Sequence, residues 1–369
     1  MKVALINNNK LNMGIGRYSC TLYNYLENKC NIDHYFFDRR IWCLWKGEKI
    51  IHRSKKTFLH AILKKIRLKN LFLDFWLARF IPDKYDIYHI ASQDNSLIAY
   101  YPNIGKTVIT VHDIFYYTYY FDSYKRRLIK YLYTGLKNTE SIIAVSNKTK
   151  RDLIKYLDIN PEKISVIYPG IDDSFKPVDY ENLYGKYGLS ENARYILNIG
   201  RDEKRKNIKT LLLAFYKLKK KPGMEDVKLI KINGLSQENR SLLKALHIEN
   251  DVKIIKNVPE KDLPKFYSMA EVFVFPSSAE GFGFPPLEAM KCGTPVVASN
   301  APAMPEVLEN SAILVEPLDY ERFSEAIHKF LIQDEIRDEY IKKGFEQSSK
   351  FTWKKCAKAT FKLYRKISG

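Results

Sequence analysis

Two carboxylates eight residues apart, Glu280 and Glu288, bracket the run EGFGFPPLE, which follows the apolar stretch EVFVF over 271–275. Gly281 and Gly283 carry no side chain where a loop has to bring its backbone amides close to a ligand. Pro285 and Pro286 suit the first turn of a helix and Gly293 its C-terminal end. The loop therefore runs into a short helix whose N-terminus attracts an anion. A carboxylate at such a place suits sugar hydroxyls better than phosphate; the plainer alternative makes Glu280 a loop charge and Glu288 a solvated helix residue. A second group, GRDEKRKN over 200–207, follows the strand-like RYILNI and holds Arg201, Lys204, Arg205 and Lys206 within six residues. A fork-shaped guanidinium beside a flexible ammonium matches a diphosphate. Lys204 and Arg205 fit a solvated basic loop, whereas Arg201 should emerge at the ligand edge of a sheet. In the first half, His112 and Asp113 end the run ITVHD, and Gly14 and Gly16 lie between VALI and a helical pattern over 16–27. These glycines depart from a dinucleotide fingerprint, because Ser19 stands at its third glycine and seven residues separate Ile6 from Gly14. His89, at the end of YDIYH, reads as structural.

The elements that must carry these residues alternate. Strand-like runs at 3–6, 85–90, 106–111, 141–145 and 163–168 are interleaved with helical patterns, and Ser146 stands where an N-cap should, before NKTKRDLIKYL. PGIDDSFKPV over 169–178 has no periodicity and reads as a connector. Alternation then restarts with strands at 194–199, 227–232, 252–255, 271–275, 295–299 and 312–315, and a strongly amphipathic helix over 206–220. Short buried strands separated by helices imply parallel sheets wound by crossovers. Two such series give two doubly wound α/β domains with a cleft between them, and ligands bind beyond the carboxyl ends of the strands. The expected division is 1–172 and 173–350, with a closing helix over 351–369.

Composition narrows the class. Of 369 residues, 46% are hydrophobic and 28% charged, which excludes a disordered chain. Five cysteines without a C-x-x-C pair fit a reducing cytoplasm rather than a disulfide or zinc scaffold. The apolar run in MKVALINNNK is too short for a secretory signal, and LFLDFWLARF is broken by Asp74 and Arg79, so no bilayer-spanning segment is expected. The net charge of +19 points to an anionic partner, although AT-rich codon usage would produce the same excess. Within 39–69, eleven Lys or Arg stand against Glu48 alone, interleaved with Trp42, Trp45, Phe58 and aliphatic residues; YKRRLIKYLY over 124–133 repeats the theme. Cations with aromatics suit an anionic membrane surface, and a solvated basic face is the alternative. The paired aspartates of IDDSF lie in the connector, where turn roles are commoner, so no metal cage and no metal cofactor are expected.

The run 276–299 with its Glu280–Glu288 spacing resembles the donor signature of family 4 of the retaining GT-B glycosyltransferases (glycosyl transferases group 1), and GRDEKRKN resembles that family's G-R-x-x-x-x-K-N segment. SIIAVSNKTKRDLI, VIYPGID and FTWKK fit as well, so the likeness covers nearly all of the chain and is weakest over about 40–100. The resemblance implies an N-terminal acceptor domain, a C-terminal nucleotide-sugar domain, and a last helix crossing back onto the first. It implies that Arg201 and Lys206 hold the donor diphosphate, that Glu280 and His112 contact the donor sugar, and that amides of Gly281, Phe282, Gly283 and Phe284 line its phosphate and sugar. Glu288 would hold the ribose and Gly16 would face the donor phosphates. Retention by front-side attack, with the leaving phosphate taking the acceptor proton, accounts for the lack of a glycosidase-like carboxylate pair. The expectation is transfer of a mannose- or glucose-type hexose, GDP-mannose first, to a lipid-linked or polysaccharide acceptor by a cytoplasmic protein peripheral to the membrane. A UDP-sugar enzyme with a soluble acceptor is the alternative. A nucleic-acid-binding protein is another, but it leaves the two glutamates and the glycine loops without a role.

Overall fold

A computed structural model describes residues 1–7, 14–38, 43–46, 49–53, 78–101, 104–118 and 123–369. The chain forms two compact units, Met1–Gly170 with Trp353–Gly369, and Ile171–Thr352.

Unit 1 is built on an eight-stranded sheet ordered β4-β3-β2-β1-β5-β6-β7-β8. Its strands are β1 (Lys2–Asn7), β2 (Asn31–Asp38), β3 (Cys43–Lys46), β4 (Lys49–Arg53), β5 (Ile87–Ile90), β6 (Thr107–Val111), β7 (Ser141–Ala144) and β8 (Ile164–Val166). All neighbours are parallel except β2–β3 and β3–β4, which form an antiparallel edge. Three of these strands correct the sequence reading. β2 was not expected in NIDHYFFD, and part of the basic stretch 39–69 is the β3–β4 hairpin. Trp45 falls in β3, and the remainder of 39–69, with Trp42 and Phe58, lies outside the described residues.

Helices cover the sheet because their apolar residues recur every three or four positions. In Ile15–Leu26 these are Tyr18, Leu22 and Leu26, all buried. In Trp353–Ser368 they are Trp353, Cys356, Ala357, Leu363 and Tyr364, which share a core with Val3, Leu5, Tyr18, Leu22 and Ile87. The last helix thus completes the core of unit 1. It is tied down through His89, which is fully buried: Nδ1 meets the Tyr364 hydroxyl at 2.5 Å and Nε2 the Thr110 hydroxyl at 2.7 Å. Burial, with a smaller contribution from His112, lowers the His89 pKa to about 3, so the ring is neutral and structural. Ser146 caps Asn147–Leu157 by accepting from the Thr149 amide at 3.1 Å, as its position required.

Unit 2 holds a six-stranded parallel sheet ordered β11-β10-β9-β12-β13-β14. The strands are β9 (Arg194–Ile199), β10 (Val227–Ile232), β11 (Val252–Ile255), β12 (Val272–Phe275), β13 (Val296–Ser299) and β14 (Ile313–Val315). The amphipathic segment forms the helix Ile208–Lys219 and buries Ile208, Leu211, Leu212, Phe215 and Leu218, each burial worth roughly 1.5–3 kcal/mol. Strand order runs outward in both directions from the β9–β12 pair. That pair is therefore the switch point, where the loops leaving two adjacent strands diverge and expose a crevice. Among the described residues no helix is long and apolar enough to cross a membrane.

Candidate active site

The loops leaving β9 and β12 are the two that carry the chemistry singled out in the sequence. β9 exits through Gly200, whose φ of 148° suits glycine, and the loop closes in a 3-10 turn at Lys204–Lys206. Asn207, left-handed at φ 53°, opens the next helix. Its Nδ2 donates to the Pro276 carbonyl at 3.1 Å and also to the Pro317 carbonyl. Ser278 joins the loops again, its amide donating to the Arg205 carbonyl at 2.7 Å and its hydroxyl to the same oxygen at 3.1 Å. Strand adjacency and these bonds bring residues some 74 positions apart into contact.

Glu280 lies at the centre of that contact and is 8% exposed. Lys206 Nζ donates to its Oε1 at 2.5 Å and Arg205 Nη1 to its Oε2 at 3.2 Å. The Lys206 ammonium also sits 4.8 Å from the centre of the Phe275 ring. Burial by itself would raise the Glu280 pKa; the charges of Lys206 and Arg205 outweigh it and hold the carboxyl below its ordinary value. Glu280 is therefore an ionised group beside two cations, an arrangement able to accept hydroxyl donors next to a place that attracts an anion. Neither plain alternative survives for this loop: Glu280 is not a solvated charge, and Arg205 does not simply face water. Arg205 is a site residue that the sequence reading left out, and only the burial of a carboxylate across the crevice marks it. Arg201 is exposed, as a residue emerging at the sheet edge should be.

Gly283 ends the second loop at φ 100°, and Phe284–Lys291 follows with Pro285 and Pro286 in its first turn. Phe282 is buried, with its ring against Phe284 at 5.2 Å and Phe351 at 5.5 Å, so the aromatic side chains anchor the loop. Glu288 is also buried and accepts a hydrogen bond from the Tyr267 hydroxyl at 2.9 Å. Tyr267 was not anticipated; it is fully buried, edge-on to Phe175 and Phe273. Burial, then the nearby Glu288, pushes the Cys292 thiol up to about 12, so this cysteine is inert.

In unit 1, His112 stands just past the end of β6. Its Nε2 lies 3.0 Å from the Ala91 carbonyl, which can only accept, so the proton sits on Nε2 and Nδ1 keeps a lone pair. Its amide donates to Gln93 Oε1 at 3.1 Å, and the Tyr18 ring packs edge-on at 4.9 Å. The residue retains some exposed surface, yet enough protein surrounds the ring for desolvation to dominate. Opposed by the Ala91 carbonyl, it lowers the pKa to about 4. His112 is a neutral acceptor across the physiological range. Gly16 lies buried in the first turn of Ile15–Leu26, where the helical pattern begins, and Gly14, at φ 48°, makes the turn into that helix.

Residues 179–347 match the model described as glycosyl transferases group 1, and residues 14–175 match the model described as Glycosyltransferase Family 4. An Anabaena HepE structure in complex with UDP-glucose superposes with a TM-score of 0.78 at 18% identity, covering 99% of this chain and 100% of that one. That likeness shows the fold, a two-domain α/β GT-B architecture. The O-antigen chain mannosyltransferase B of Escherichia coli is 31% identical over 271 residues, 71% of either protein. The O-antigen chain mannosyltransferase RfbU of Salmonella typhimurium is 32% identical over 260 residues, 69% of this chain and 68% of that protein. The chain belongs to the group 1 glycosyltransferases.

Proposed function

We propose that this protein is a retaining hexosyltransferase that moves a mannose- or glucose-type hexose from a nucleotide-sugar, GDP-mannose first, to a lipid-linked or saccharide acceptor. The observation that carries the reading is Glu280, buried and ionised between Lys206 and Arg205 at the switch point of unit 2. A carboxylate for sugar hydroxyls and cations for phosphate are there held in fixed contact. The relatives that act as O-antigen chain mannosyltransferases favour mannose and a saccharide acceptor.

In this reading unit 2 binds the donor and unit 1 the acceptor. Arg201 and Lys206 hold the diphosphate and stabilise the charge that grows on it as the glycosidic bond breaks. The amides of the 281–284 loop approach the phosphate and sugar, and Glu288 takes the ribose hydroxyls. His112 accepts a sugar hydroxyl on Nδ1. The acceptor hydroxyl attacks the anomeric carbon on the face the diphosphate leaves, and its proton passes to the departing phosphate oxygen, which balances the step without a protein base. Side-chain cations meet the phosphate charge, so the reading includes no metal cofactor.

Thermal melts with GDP, UDP, ADP, GDP-mannose and UDP-glucose test the donor assignment. A ligand at 100 times its Kd stabilises by about 2.7 kcal/mol. Guanine nucleotides should raise the midpoint most, and Arg201→Ala should reduce the shift. No shift with any nucleotide would sink the proposal, and a uracil preference would move the donor to a UDP-sugar.

The same reading places the protein in the cytoplasm, peripheral to an anionic membrane that presents the acceptor. Its support in unit 1 is the helix Ser123–Leu132, on which Arg127, Lys130 and Tyr131 are exposed. Each cation near anionic lipid contributes about 1 kcal/mol. The full chain should float with vesicles containing anionic lipid at low salt and be released at high salt; equal behaviour with neutral vesicles refutes the membrane assignment.

A further inference from the structure

Lys231 is fully buried on β10 and takes no part in the chemistry described above. Its Nζ donates to the Gly200 carbonyl and, at 2.8 Å, to the Ile232 carbonyl. Gly200 opens the loop that carries Arg201 and Lys206. In a trans peptide the C=O and N–H point in opposite directions. Holding the Gly200 carbonyl inward on Lys231 therefore turns the Arg201 N–H outward, away from the strand.

A second clamp follows two residues later. The Asp202 carboxylate accepts from the Ser236 amide at 2.7 Å and from Asn239 Nδ2 at 2.8 and 2.9 Å. The loop is thus fixed at residues 200 and 202 from the protein side, while Arg201 between them stays exposed. Stability alone does not account for an amine here. Its strand neighbours Leu229, Ile230 and Ile232 are all buried, and an apolar residue would pack among them without the desolvation penalty. That penalty lowers the Lys231 pKa to about 8, with Asp202 opposing and Lys206 adding to the fall. Below that pH the ammonium donates two of its three protons to the Gly200 and Ile232 carbonyls.

We infer that Lys231 is a positioning residue for anion capture: by holding the Gly200 carbonyl it presents the Arg201 amide and guanidinium to the diphosphate of a nucleotide ligand. This rests on the donor site proposed above.

The test compares wild type, Lys231→Met and Arg201→Ala as full chains. Competition binding measures GDP and UDP beside guanosine and uridine. Lys231→Met should weaken the diphosphate by about tenfold, or 1.4 kcal/mol, while nucleoside affinity stays unchanged. Unchanged diphosphate affinity overturns the inference, and so does an equal loss for nucleoside and diphosphate, the mark of a merely structural role. Absence of any nucleotide binding by wild type overturns the donor-site reading as well. Should Lys231→Met not fold, the wild-type Arg201 amide resonance decides: it should shift on titration with inorganic pyrophosphate, and an unmoved resonance overturns the inference.

Discussion

Lys206→Ala should lower the rate of sugar transfer roughly 10²–10³-fold, the usual cost of losing one electrostatic partner of a developing charge. The Lys206 ammonium lies 2.5 Å from Glu280 and 4.8 Å from the Phe275 ring centre, so its position is fixed before any ligand arrives. Removing it takes a cation from the diphosphate subsite and leaves Glu280 with Arg205 at 3.2 Å. Lys206→Arg should recover only part of the rate, because a planar guanidinium does not fit the place of a compact ammonium. The same change has a pH signature. Burial raises the Glu280 pKa while Lys206 and Arg205 lower it further, so the folded carboxyl titrates below its ordinary value of 4.5. A carboxyl depressed in this way contributes stability that is present above its unfolded pKa and lost as pH falls through its folded one. The stability difference between wild type and Lys206→Ala should therefore be largest near neutrality and shrink below about pH 4.5. Steady-state transfer assays and denaturant titrations at several pH values check both parts. An unchanged kcat, or a stability gap that widens in acid, would contradict the role given to this pair.

Gly283→Ala should destabilise the chain by about 2–6 kcal/mol, from left-handed backbone strain and overpacking that each cost about 1–3. At φ 100° the backbone favours glycine, and an added Cβ would come within 2.4 Å of Met304 Cε. The atom met is the end of the Met304 side chain, which is fully buried, so it yields only by displacing its packed neighbours. A double-mutant cycle separates the two terms. With Met304→Ala as background, the cost of Gly283→Ala should fall by about 1–3 kcal/mol, because the collision is relieved while the strain stays. Urea unfolding measures each corner of the cycle, and strict additivity would show that the two residues do not meet.

Much of this protein was legible before its fold. β9, β12 and most of the other strands are short, largely apolar runs, and the helices repeat apolar residues every three or four positions; both are local signals. The GRDEKRKN and EGFGFPPLE segments were recognisable because they follow such strands, where an α/β sheet offers its ligand edge. β2 was missed because NIDHYFFD mixes charge with aromatics, and the β3–β4 hairpin because its cations look like a surface stretch.

What the sequence determined by itself was the class of fold, the family, and the two segments that bear charge at the strand ends. Only the tertiary structure decided their chemistry. β9 pairs with β12 in space, across more than seventy residues of chain, and that adjacency drives the Glu280 carboxylate against Lys206 and Arg205. The same kind of non-local packing buries Lys231 beneath Gly200 and fixes the His112 proton on Nε2 through the Ala91 carbonyl. Each is a desolvated contact whose charge or proton depends on a partner remote in sequence. Local residue patterns report burial and turns, but strand order selects the partner.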